Sequence, residues 1–190
     1  VRYPEAVENQ QGARRGAVAS IALAAIIIAI VVLETHWPSP LRFGGAKPDL
    51  MLLLVLYYAF SEGPTRAMGI GFLGGFLQDV FSAGPLGLHI FCKVLIGYAV
   101  GVIGTRLVTE HPIVMTIIVF LSTIFEVALV VLLSFLYSDH VSVKFMFLHV
   151  GVPMAFYNSV LAPACFYCAD RVRARAVLGG GRRTEGVQGD

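Results

Sequence analysis

The sequence predicts an all-α membrane protein, a bundle of six transmembrane helices, and three observations carry that reading. Hydrophobic residues make up 57% of the 190-residue chain and charged residues 14%, against about 45 to 50% and about 25% in ordinary soluble domains. The apolar residues fall into six runs separated by charged or turn-rich breaks. The basic residues then divide unevenly between the two sides that six crossings create.

A short N-terminal segment, 1–16, carries Arg14 and Arg15. The first run, Ala17 to Thr35, follows them as the core of a signal peptide would. It is longer than a usual signal core and lacks a small-residue cleavage site, so it is expected to remain as a transmembrane helix. The second and third runs, Pro48 to Phe60 and Ala67 to Ala83, are short for a bilayer core of about 30 Å, which calls for about 20 helical residues. They tilt little, thin the bilayer, or pack as a pair shielded from lipid. The fourth, fifth and sixth runs are Leu86 to Gly104, Pro112 to Tyr137 and Phe145 to Ala169. Together these make one transmembrane domain over 17–169, with no separate catalytic module expected. The basic segment 170–190 follows, and from Leu178 it is glycine-rich, charged and poor in apolar residues, a composition expected to be disordered.

With the N-terminus in the cytoplasm, ten arginines fall inside (Arg2, Arg14, Arg15, Arg66, Arg106, Arg171, Arg173, Arg175, Arg182 and Arg183) and only Arg42, Lys47 and Lys144 outside. That asymmetry predicts a multi-pass membrane protein with both termini cytoplasmic. Trp37, Tyr57, Tyr58 and Tyr137 fall near span ends, where amphipathic rings favour the interface. The tail arginines either hold anionic lipid or an acidic partner, or simply set topology.

Gly71, Gly75 and Asp79 recur every four residues and share one helix face, where the glycines let another backbone approach closely. His89, Lys93, Gly97 and Gly101 repeat the pattern on the fourth run, and a hairpin through Ser82 to Gly87 brings the two faces together with Asp79 and His89 at similar depth. These glycines and Asp79 are expected to form a seam for helix packing or for a partner. Ionisable groups at such depth are functional candidates. Glu126 falls near the centre of the fifth run, with Lys93 as first counter-ion and Asp79 as second. Two roles remain for the pair: a proton or ion relay, or a buried contact that fixes helix register. Asn158 is placed to hydrogen-bond across helices.

No catalytic, metal or cofactor site is expected. His89 and His149 lack the spacing of metal-ligand motifs, and neither a GxSxG nor a phosphate-binding lysine loop is present. Cys165 and Cys168 form a CxxC inside an apolar helix, without the polar surroundings that activate a thiol, and read as packing residues rather than a redox pair.

The run KPDLMLLLVLYYAFSEGPTRAMGIGFLGGFLQDVFSAGPLGLH resembles the rod shape-determining protein MreD family. Its marks are Pro48 and Asp49 opening an apolar run, Tyr57, Gly63, the glycines Gly69, Gly71 and Gly75, Asp79, and Gly84 to Gly87; the closing PMAFYNSV, with Pro153, Tyr157 and Asn158, is similar to that family's last span. The first span and the tail match only in length and character. The resemblance implies a scaffold without catalytic activity or cofactor. Implied partners are MreC, the elongation-specific glycosyltransferase and transpeptidase that build lateral peptidoglycan, the filament protein MreB, and membrane lipid; no nucleic acid is implied. Small six-span bundles with glycine-rich second and third segments also resemble the substrate-binding S-components of energy-coupling-factor vitamin transporters, which gives a second expectation of a related fold and of ligand binding.

Overall fold

Runs and breaks become helices and turns in the computed structural model of the chain, which describes residues 3–42, 46–82, 84–107, 112–137 and 143–181. Helix α1 spans Tyr3–Thr35, α2 Leu50–Ser61, α3 Pro64–Phe81, α4 Leu88–Leu107 and α5 Pro112–Tyr137. A helical turn, α6 (Val143–Phe145), leads through a π-helical stretch, Met146–Gly151, into α7 (Val152–Gly181). The described residues thus form six helical rods, the last assembled from α6, the π stretch and α7, with no strand element.

The boundaries follow from local chemistry. Proline occupies the start of α3 at Pro64, where its missing N–H is not needed, and Gly63 before it takes φ 83°, a value that strains any residue with a Cβ. Pro153 removes a helical donor and crowds the carbonyl four residues back. The preceding turn widens accordingly, and the Val152 N–H bonds to the Phe147 carbonyl. Helix α1 starts well before the first apolar run because Glu, Ala, Gln and Arg favour helix. The segment expected as a basic tail continues α7 as far as Gly181, and 182–190 lie outside the described residues.

Three stretches are long and apolar enough to cross a bilayer, Gly16–Thr35, Ile113–Phe135 and Met146–Ala174, and Leu50–Ser61 and Leu88–Gly104 are shorter apolar helices. The chain is a membrane protein. Its shortest rod is also its centre: α2, 12 residues and about 18 Å long, has Met51, Leu52, Val55, Leu56 and Ala59 fully enclosed. Helices α3 and α4 pack on one side of α2 and most closely on each other, while α5 and α7 pack together on the other side. At one end of the bundle the Tyr57 hydroxyl donates to Asp170 at 2.7 Å, and Glu62 receives both Arg66 and Arg173 at 3.2 Å. That end is fastened by polar contacts between α2, α3 and α7.

Helix α1 is held differently. Ile27, Val31 and Glu34 are buried against α2 and α3, whereas every residue from Gly16 to Ala22 is exposed. Its second half therefore belongs to the bundle, and its first half stands clear of it.

Candidate functional site: a charge cluster beneath a cleft

Glycine brings the polar residues together. A Cβ on Gly71 would lie 2.8 Å from the Lys93 carbonyl oxygen, and one on Gly75 would lie 2.7 Å from the Ile90 Cα. From the other side, a Cβ on Gly101 would meet the Pro64 Cα at 2.5 Å, and one on Gly97 the Ala67 carbonyl at 3.1 Å. Two backbones thus lie in direct contact along the α3–α4 seam, which only residues without side chains permit. The four glycines are occupied by this contact within the chain.

The seam ends at Asp79, 1% exposed. Its carboxylate accepts from the backbone N–H groups of Gly87 at 2.9 Å, His89 at 3.0 Å and Ile90 at 3.3 Å, and its Oδ1 lies 2.8 Å from His89 Nδ1. These N–H groups belong to the start of α4, where a helix has no internal acceptors to offer. Asp79 caps α4 from α3 and complements the positive end of its dipole.

The start of α2 has the same need and a similar answer. Leu52 N–H donates to Asp49 Oδ1 at 2.6 Å, Met51 N–H to Glu34 Oε1 at 2.8 Å, and Asp49 N–H to Asn158 Oδ1 at 2.9 Å. Carboxylates from the loop before α2 and from α1 thus serve donors that begin deep in the bundle. Gln78 Nε2 donates to the other oxygen of Glu34 at 2.6 Å, joining α3 to α1. Asn158 passes its own N–H to Thr123 Oγ1 at 3.1 Å.

Lys93 answers this concentration of negative charge. Its side chain is fully enclosed, with Nζ 2.7 Å from Asp49 Oδ2 and 2.6 Å from Glu126 Oε1. One ammonium therefore links α2, α4 and α5. The expected pairing of Glu126 with Lys93 is in place. Asp79, the second partner named for Glu126, bonds His89 and the α4 backbone instead, and the other carboxylate at Lys93 is Asp49.

Above the cluster opens a cleft of about 360 Å³. Glu34, Asp49, Gln78 and Glu126 lie at its base, Lys47 and His89 also line it, and Val31, Val127, Val130, Met146, Val150 and Met154 give it apolar walls. The depth comes from unequal helix lengths. Glu126 stands about 16 Å short of the end of α5 at Tyr137, so α2 begins far below the rim that α5 reaches. At the base, Glu126 Oε2 and Gln78 Oε1 are buried without a hydrogen-bond partner.

The sequence reading brought Asp79 to His89, Lys93 to Glu126 and the two glycine faces to one another. It missed Glu34 and Gln78, and it noticed Asp49 only as a family mark. Glu34 closes an apolar run and looks like an interfacial charge, and Asp49 beside Pro48 looks like an ordinary helix cap. The available signal was that the helix opened by this acidic cap is short and apolar, so that its first N–H groups are enclosed by the bundle and need acceptors there.

A family model described as rod shape-determining protein MreD matches residues 14–167. No curated protein and no solved structure shows significant similarity to the chain.

Proposed function

Because the chain belongs to the family of rod shape-determining protein MreD, we propose that it is a non-catalytic scaffold of the bacterial cell-elongation complex, binding MreC and the glycosyltransferase and transpeptidase of lateral wall synthesis, with MreB contacted directly or through them. The observation that carries this reading is the family match, which runs from within α1 to within α7. The exposure of α1 supports it, because Gly16 to Ala22 offers Ala17, Ala19, Ser20 and Ala22 to the bilayer, and small residues let another transmembrane helix pack closely. The charge asymmetry supports six crossings of the inner membrane with both termini in the cytoplasm, an orientation in which the cleft opens outward.

Depletion tests the reading: rod cells lose their shape and round up while division septa continue to form. Cells that keep their rod shape after depletion overturn it. A second reading, a ligand-binding subunit of the vitamin-transporter kind, is favoured by the cleft, whose volume lies within the range of small-molecule sites. A vitamin that co-purifies with the protein and raises its melting temperature would select that reading over the scaffold.

A further inference from the structure

We propose that the cleft binds the headgroup of an aminophospholipid, seating its primary ammonium on Glu126 and Gln78 and its phosphate beside Lys47. The base of the cleft is rich in acceptors and poor in donors. Glu34, Asp49 and Glu126 line it, and among the described residues Lys93, behind them, is the one buried cation. Both contacts of the Lys93 ammonium go to Asp49 and Glu126, and the Gln78 amide donates to Glu34. Glu126 Oε2, on a residue 3% exposed, and Gln78 Oε1 are left without donors. A buried acceptor without a donor is unfavourable, so the group that suits this base carries N–H and positive charge.

The rim has the opposite character. Lys47 lines the same cleft and is exposed, with Nζ 3.0 Å from the Glu34 carbonyl oxygen. An acceptor base beneath a lysine complements a zwitterion whose ammonium enters first.

Helix lengths favour lipid as the source. Helix α3 has 18 residues, about 27 Å, against 26 residues and about 39 Å for α5, so the cleft has one low wall. Phe81, the last residue of α3, lines the cleft while 59% exposed. The bilayer surface drawn down to the end of α3 brings headgroups to the mouth of the cleft at that wall. Met146 and Met154 on the opposite wall are adaptable enough to close around one.

The test uses the full chain purified in detergent and exposed to phosphatidylethanolamine, its mono-, di- and trimethylated forms and phosphatidylglycerol, all with the same acyl chains. Native mass spectrometry then reads which lipids stay bound. Retention is expected to fall stepwise as N–H groups are methylated, reaching roughly tenfold between the primary ammonium and phosphatidylcholine, and phosphatidylglycerol is expected to bind no better than phosphatidylcholine. Val130→Trp, which fills the cleft, is expected to abolish the preference. The methylation series needs no variant, so it decides the matter even where Val130→Trp fails to fold. Equal retention across the series overturns the proposal. So does displacement of the bound species by soluble ethanolamine, which assigns the cleft to a free amine, or a photo-crosslink from position 130 to a partner protein with lipid excluded.

Discussion

Lys93 Nζ lies 2.6 Å from Glu126 Oε1, a contact that joins the second turn of α4 to the middle of α5 with both residues enclosed. Asp49 stands 2.7 Å from the same nitrogen, so three helices meet at one positive charge. Buried pairs of this kind specify an arrangement more than they add to stability, but removing one partner leaves the other charge uncompensated.

Lys93→Met is therefore expected to destabilise the fold by about 3–5 kcal/mol. Adding Glu126→Gln is expected to restore part of that loss, because the double variant no longer holds an unpaired carboxylate at position 126. Denaturation in detergent, followed by circular dichroism, checks both; additive losses in the double variant would show that the two residues do not act as a pair.

Substitutions along the seam are expected to rank by what the new methyl meets. At Gly75 and Gly101 it meets backbone at 2.7 Å and 2.5 Å, whereas at Gly69 nothing lies within 4 Å. Gly75→Ala and Gly101→Ala are expected to lose about 1–3 kcal/mol or more through overpacking. Gly69→Ala is expected to be neutral or stabilising, since alanine favours helix over glycine. Melting temperatures of the three variants give the order.

Asp79→Ala is expected to release the start of α4, leaving three backbone N–H groups and His89 without their acceptor, at a loss of about 1–3 kcal/mol. Asp79→Asn keeps one acceptor oxygen and is expected to lose less. Hydrogen exchange at Gly87, His89 and Ile90 should rise in the alanine variant while the middle of α5 stays protected.

Topology gives a separate check. In a cysteine-free background, a cysteine at Ser39 is expected to react with an impermeant maleimide from outside intact spheroplasts, and one at Ser61 only after the membrane is opened. Labelling at position 61 from outside would contradict the six-crossing orientation.

Much of this molecule is legible along the chain. Hydropathy marked the stretch that is helical as α5, Pro112–Tyr137, because its apolar run is long and continuous. The four-residue spacing of Gly71 and Gly75, and of Gly97 and Gly101, marked the faces that meet, because spacing along a helix maps directly onto its surface. The helical continuation of α7 past Ala169 was not legible, since glycine and arginine content describes composition and not the momentum of a helix already formed.

Sequence alone determined that the chain lives in a membrane, that its apolar runs are helices, and that Lys93 and Glu126 required partners. Tertiary structure decided that the short α2 would be the centre, that Asp49 and not Asp79 would complete the Lys93 site, and that Glu34 would reach across from α1 to serve the start of α2. The division has one physical reason. Burial in lipid and helical periodicity are set by neighbouring residues, but the N–H groups at the enclosed start of α2 donate to whichever carboxylate the packed bundle brings to them.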